Sequence, residues 1–539
     1  MKNIYTPADI ERIIEATIGN LDDIESLDAQ RRALWLERRR VFIENVGSEV
    51  AAEVLDFRPS AKSPVLVLAG DGICGAYALA AALSLHRNGC RARVVLFNIG
   101  GDMLSPDAVK ARNAFVDEAG ADYLEEVINP GVFNMPDMNR RTVVVDGIFG
   151  SEYRKPLRGG YQSVARHINE HNPMVVSIDL PSGMTTDLGI GMINYNIVHA
   201  DLTLTLVGPT LAFFMPENAE LIGRWKTLNV AFDEEAISST RCTTRMIDAR
   251  TVRLAIPPRP VMASKNELGD ALIFAGSYGM LGAAVLATRA ATRSGCGRVT
   301  CHGPRCAFYV MQSSVPSAMF TTDGADVDIQ DFDTDREYDG IAVGPGLGHS
   351  DATVAGLEVF LKACFAASKP LILDADALNC LTVKPSMVDF IPPRSILTPH
   401  AGEFDRIFGA QSSHASRVLK ALEMAARHKI IIVLKGHYTL TIWPDGSIVV
   451  NSSGTEALAT AGSGDVLTGL MAGFLAQKLV PEVAAVVAVY VHGVAGRLAA
   501  RLNGIQGTTS EDIADAIGPA IDSILNPRQN RESSNSKNQ

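Results

Sequence analysis

The chain has no Cys-x-x-Cys pair. Its eight cysteines are scattered over 539 residues. Cys296, Cys301 and Cys306 come closest to a cluster, but no His/Cys partner set follows at zinc-finger spacing, which argues against a structural zinc site. Free thiols suit a reducing compartment, so a cytoplasmic location is expected. No stretch reaches the ~18 uninterrupted apolar residues of a membrane span, so no membrane partner is expected. The opening MKNIYTPADIERI carries charge where a secretory signal has its apolar core, and no signal peptide is expected. Positive charge is also scarce: 49 Lys and Arg stand against 60 Asp and Glu, a net charge of −11. Phosphate backbones attract net positive charge, so nucleic acid is not an expected partner. The one basic run, RRALWLERRR at 31–40, is expected to be a solvated helix face.

What the chain does have is apolar material, 47% of residues against 20% charged. That is the composition of a folded globular protein, and the length implies more than one domain. From residue 64, short apolar runs alternate with helical stretches: PVLVLAGDG, RARVVLFN, TVVVDGIFG and PMVVSIDLPSG. Each run ends in or near Gly, Asp or Asn, the pattern of a parallel α/β sheet. Ligands of such sheets bind beyond the carboxyl ends of strands, here Gly70–Gly72, Asp146 and Asp179–Gly183. AIPPRP (255–260) marks a new start, and a second strand–helix series follows it. The expected organisation is two three-layer α/β domains, over 1–245 and 246–525, then a disordered polar tail over 526–539.

ATAGSGDVLTGLMAGFLAQ (459–477) is the most informative segment. Gly462 and Gly464 permit tight backbone turns. Val466, Leu467, Leu470, Met471, Phe474 and Leu475 then recur on one helix face. A glycine-rich turn opening a helix offers unpaired N–H groups and a positive dipole end to an anion. Asp465 sits among those donors, either as a capping carboxylate or as a base beside a phosphate. VLKGHYT, VGPGLG, LTPHAGEF and LDADALN place further glycine or polar residues at strand ends of the same domain, which implies one shared site.

In combination these motifs resemble those of ADP/ATP-dependent NAD(P)H-hydrate dehydratases, over about 248–525. The resemblance implies a ribokinase-like fold there. The first half, through FIENVGSEVA, VLVLAGDG, VVVDGIFGSEYRKPLRG, VSIDLPSGMTTDLG and ADLTLTLVGPT, resembles NAD(P)H-hydrate epimerases, with a Rossmann-like parallel sheet. The order is that of bifunctional repair enzymes, which restore NADH or NADPH from its hydrate. By resemblance, Lys435, Gly436, His437, Tyr438 and Thr439 hold ADP or ATP together with Thr460, Ala461, Gly462, Ser463 and Gly464. Gly346, His400, Glu403 and Arg406 line the hydrated dinucleotide, and Asp465 takes the proton of its hydroxyl. Mg²⁺ is expected with the nucleotide, and a homo-oligomer is expected. For His400 a packed or capping role stays open, as does a helix-start role for Glu403.

The epimerase-like half departs from its family. The loop that reads Asn-Asn-Gly-Gly-Asp-Gly there is Ile73, Cys74, Gly75, Ala76, Tyr77 and Ala78 here, and Thr210 stands at a family lysine. Asp179, the implied acid/base and substrate contact, persists, as do Asp146 and Ser182, the implied K⁺ contacts. K⁺ is expected only if this half is functional, and the three residues could equally survive as strand-end caps and turn formers. Little or no epimerase activity is expected. Two other readings remain: a ribokinase-like small-molecule kinase using the same anion site and Asp465, and a nucleotide-binding scaffold without turnover.

Overall fold

The computed structural model describes residues 1–129, 133–153, 155–184, 196–334 and 336–527. The expected tail, but for its first two residues, and part of the segment after Gly183 lie outside the described residues. The chain divides into two compact units. One is Ile4–Cys242; the other is Met1–Asn3 with Thr243–Gln539.

The Ile4–Cys242 unit is built on seven parallel strands. Their order across the sheet is Leu124–Val127, Arg93–Phe97, Val65–Ala69, Val143–Gly147, Met174–Ile178, Leu202–Thr205 and Arg224–Thr227. Side chains alternate faces along a strand, and here both faces are covered. Val65, Val67 and Ala69 pack with Val46, Val50 and Leu79, while Leu66 and Leu68 pack with Val164 and Ile168. That double burial is why the strands read as continuous apolar runs. The strand order reverses between Val65–Ala69 and Val143–Gly147, the crevice at which open α/β sheets bind ligands. The basic run lies on the helix Ala29–Phe57. Its expected solvation holds for Arg40, an exposed residue paired with Glu37 and Glu44, but not for Arg39, which is buried against Asp107.

The second unit has an eleven-stranded sheet. Its parallel centre runs Met319–Thr321, Arg298–His302, Asp270–Phe274, Gly340–Val343, Ile372–Leu373, Ile396–Leu397 and Ile431–Leu434. Antiparallel Leu440–Ile442 and Ile448–Val450 follow, then Thr244–Met246 and finally Lys2–Ile4. The boundary expected at 245/246 therefore moves to 242/243, because Thr244–Met246 pairs in parallel with Ile448–Val450. Ala271 and Ile273 face one helical layer with Ala287, Leu470 and Val487. Phe274 points to the other face, against Phe332 and Phe360.

The helix Pro481–Asn503 is long and apolar enough to cross a membrane by length and composition. Two thirds of its most apolar stretch is buried inside the unit, where Ala484, Val487 and Val491 join the core. Its apolarity serves packing between helices.

Candidate functional site

The carboxyl ends of four adjacent parallel strands gather the polar residues of the second unit. After Gly340–Val343 the chain turns through Gly344 and Gly346, both at positive φ (138° and 60°). A Cβ on Gly346 would stand 2.6 Å from Met280 O, so this turn requires glycine. After Ile372–Leu373 comes Asp374, then Ala375 at φ 47°, a left-handed conformation disfavoured for a residue with a Cβ. After Ile396–Leu397 comes His400, and after Ile431–Leu434 comes Lys435. His400 and Lys435 form a parallel bridge.

Asp374 is the hub. Its Oδ1 accepts from Lys435 Nζ at 2.9 Å and its Oδ2 from Thr468 Oγ1 at 2.6 Å. Lys435 Nζ also lies 3.7 Å from Glu403 Oε2. Burial works against the ammonium, but the Asp374 and Glu403 carboxylates outweigh it and raise the Lys435 pKa. Asp465 stands in the first turn of the helix Ser463–Ala476. Burial, then the Asp374 charge, push its pKa up to about 7 against the pull of Lys435. A carboxyl group with that pKa can exchange a proton near neutrality. Beneath it, Ser463 Oγ meets the buried His492 at 3.3 Å, and burial lowers the His492 pKa to about 4.

The two glycines of the turn differ. Gly462 caps the helix at φ 84°, and a Cβ there would strike Leu286 at 2.4 Å. Gly464 is helical rather than left-handed. A Cβ on it would point to Lys435 Nζ at 3.5 Å and Asp374 Oδ2 at 3.8 Å, so its role is to leave room. The loop Lys435–Thr439 is brought to the segment before this helix, since Gly454 packs on His437 O. Tyr438 stands edge-on to the His437 ring. Thr439 is buried, while Gly436 and His437 are exposed. Thr460 is half-buried and Ala461 exposed, and Ala461 O accepts from Ser510 Oγ.

His400 caps the helix Ala401–Phe408. Its Nδ1 accepts from the amides of Gly402 and Glu403, at 3.0 and 3.3 Å, and Glu403 Oε2 accepts from His400 N at 2.8 Å. The capping role left open for His400 is thus present. Arg406, also on that helix, donates to Asn379 Oδ1 at 3.1 Å. Asn379 in turn holds Asp376, which accepts from Gly348 N at 2.9 Å. Sequence reasoning placed Asp374 at a strand end without a role. It missed Thr468 and His492, because their partners are far away in sequence.

In the first unit, Asp146 is fully buried and its oxygens are used within the fold. They accept from Ser177 Oγ at 2.9 Å, Ser182 N at 2.8 Å and Ser182 Oγ at 2.5 Å. The Asp146–Ser182 pair ties the ends of two adjacent strands together. Asp179 is buried at φ 67°, and its Oδ2 accepts from Ser151 N at 2.7 Å. The helix Ile73–Arg87 starts at Gly72 without a side-chain cap, and the Glu152 carboxyl lies 3.7 Å from where a Gly72 Cβ would be. Cys74 and Tyr77 are buried and join the hydrophobic core, and Tyr77 also lines the cleft beside Asp179 and Glu152.

Residues 271–519 match the family model described as NAD(P)H-hydrate dehydratase, and residues 39–212 match that described as YjeF-related protein N-terminus. A bifunctional NAD(P)H-hydrate repair enzyme of Thermofilum pendens is 30% identical over 94% of this chain and 96% of its own length. One of Moorella thermoacetica is 29% identical over 94% and 95%. Among solved structures, the ADP/ATP-dependent NAD(P)H-hydrate dehydratase of Bacillus subtilis, co-crystallised with ATP/Mg²⁺, is 31% identical, covering 51% of this chain and 97% of its own with a TM-score of 0.45. With both halves matched in order and a relative aligned over nearly its whole length, the chain belongs to the family of bifunctional NAD(P)H-hydrate repair enzymes.

Proposed function

We propose that the second unit dehydrates the S form of NADH or NADPH hydrate, using ADP or ATP. The observation that carries this reading is Asp465, a carboxyl with a pKa of about 7 set at a helix N-terminus beside Lys435. The amides of that first turn and the Lys435 ammonium suit a phosphate. Asp465 takes the proton of the hydrate's hydroxyl as that oxygen bonds to the terminal phosphorus and the bond from phosphorus to the rest of the nucleotide breaks. The new phosphate ester then leaves as inorganic phosphate, and loss of a ring proton restores the double bond. Gly346, His400, Glu403 and Arg406 border the side of the site assigned to the dinucleotide.

Among the described residues no three His, Cys, Asp or Glu side chains gather as a metal cage. Asp374 and Asp376 are engaged by protein donors. Mg²⁺ is therefore assigned to the nucleotide phosphates, where it would offset their charge. The eight free cysteines support a reducing, cytoplasmic setting.

The first unit is read as lacking epimerase activity. A carboxylate at the start of the helix Ile73–Arg87 opposes a phosphate there, and Asp146 and Ser182 act as a strand-end clasp rather than K⁺ ligands. The test is to give the full-length protein separated S and R hydrates with ADP or ATP and follow recovery of reduced-nicotinamide absorbance. Recovery from S alone supports the reading. Release of a stable phosphorylated product would favour a kinase instead.

A further inference from the structure

The helix Ser463–Ala476 carries Thr468 as well as Asp465. Residues three apart share a helix face, and both of these meet Asp374: Thr468 by a hydrogen bond, Asp465 through its charge. Thr468 is fully buried, and its hydroxyl donates to Asp374 Oδ2 at 2.6 Å. A threonine inside a helix commonly returns its hydroxyl to the carbonyl one turn back, as Thr17 does to Ile13 O at 2.7 Å. Thr468 instead reaches across 94 residues of sequence to a charged partner.

Asp374 is 1% exposed, and a buried carboxylate is costly unless its oxygens are paired. The pairing is divided between two elements. Oδ1 takes the Lys435 ammonium at 2.9 Å, and Oδ2 takes the Thr468 hydroxyl. The threonine thus fixes the plane of the carboxyl, and the carboxyl fixes the ammonium. A lysine ammonium sits on a flexible four-carbon stem. This chain of contacts removes that freedom before a ligand arrives, which is what a preorganised charge requires.

The ammonium is held beside an open point. A Cβ on Gly464 would stand 3.5 Å from Lys435 Nζ and 3.8 Å from Asp374 Oδ2, and among the described residues no other side chain beyond its neighbours in the chain comes within 4 Å of it. The Lys435 side chain is 21% exposed there, against 2% for that of Asp374. The lysine can therefore meet a ligand, whereas the aspartate and the threonine behind it cannot.

We propose that Thr468 is a positioning residue for the dehydration: through Asp374 it aims the Lys435 ammonium at the open point beside Gly464, where the terminal phosphate of ADP or ATP lies during transfer. Thr468 itself touches neither nucleotide nor hydrate. The inference rests on the reading that this unit dehydrates the S hydrate with a nucleotide. Because the ammonium meets phosphate rather than the nicotinamide ring, losing its aim acts on the nucleotide and leaves binding of the hydrate alone.

The experiment compares Thr468→Val with Thr468→Ser in the full-length protein, given S hydrate and ADP. Valine keeps the shape and removes the donor, whereas serine keeps the donor and removes a methyl group. Thr468→Val should lower kcat ~10-fold or more, the usual worth of a hydrogen bond to a charged group, and should weaken ADP in calorimetric titration. Its KM for the hydrate should not change. Thr468→Ser should turn over close to the wild-type rate. If Thr468→Val does not fold, Thr468→Cys replaces it; a thiol is a weak donor of similar size, and turnover should fall below that of Thr468→Ser. The reverse order, with valine active and serine impaired, makes Thr468 a packing residue and overturns the proposal. So does a rise in the KM for the hydrate with kcat and ADP affinity unmoved. If the wild type fails to restore reduced nicotinamide from S hydrate, the reading of the unit falls and this inference with it. Wild-type turnover that Thr468→Val, or Thr468→Cys in its place, leaves unchanged overturns this inference alone.

Discussion

Lys435 Nζ and Asp374 Oδ1 meet at 2.9 Å across 61 residues of sequence, joining the carboxyl ends of two strands beneath the first turn that carries Asp465. The pair sets the charge around that turn. Asp374 raises the Asp465 pKa and Lys435 lowers it.

Asp374→Asn should therefore make Asp465 a stronger acid. In the wild type, the base form accumulates as pH rises through about 7. With the neighbouring negative charge gone, the acid limb of the kcat/KM profile should move to lower pH. An unmoved limb would separate Asp465 from the rate-limiting proton transfer.

Asp465→Asn should keep the fold and lose ~10²–10⁴-fold in dehydration, the usual worth of a general base. It should also alter the pH dependence of stability. The folded-state pKa is raised, so the wild type is least penalised below about 3.8 and loses stability as pH rises through about 7. The Tm advantage of the variant should be widest above neutrality and should close on acidification.

Gly462→Ala and Gly464→Val should fail in different ways. The first forces a Cβ into a left-handed cap and against Leu286. It should cost ~1–3 kcal/mol of stability, read as a lower Tm. The second should fold but put its side chain toward Lys435 and Asp374, where the phosphate is assigned. ADP affinity should drop with little change in Tm. Unchanged affinity in a folded Gly464→Val would move the phosphate elsewhere.

A piece covering 243–539 should be more stable and more soluble than one covering 248–539. The shorter piece loses Thr244–Met246 and exposes Ile448–Val450 as an apolar sheet edge, which invites aggregation. Equal Tm and equal solubility would show that this strand adds nothing.

The strand ends were legible because doubly buried strands are apolar throughout and stop abruptly at Gly or a charged residue, as at Gly344, Asp374 and Lys435. The helix at Asp465 was legible from its glycines and apolar spacing. What stayed hidden depends on pairing at long range. Nothing local in LDADALN marks Asp374 as the partner of both Lys435 and Thr468. Gly462 and Gly464 look alike in sequence, and only backbone angles separate a cap from a spacer. Glu152 reads as a surface acid until Gly150 and Asp179 are seen beside it. The three-residue strand Lys2–Ile4 is too short for any periodicity to appear.

That short strand makes one sheet discontinuous in sequence. Lys2–Ile4 borders a sheet whose other strands are all encoded after Cys242. Its pairing closes a loop of more than two hundred residues, and the entropic cost of closure rises only slowly with loop length. Three residues at the far side of an inserted unit thus complete the edge of the sheet that carries Asp374 and Lys435.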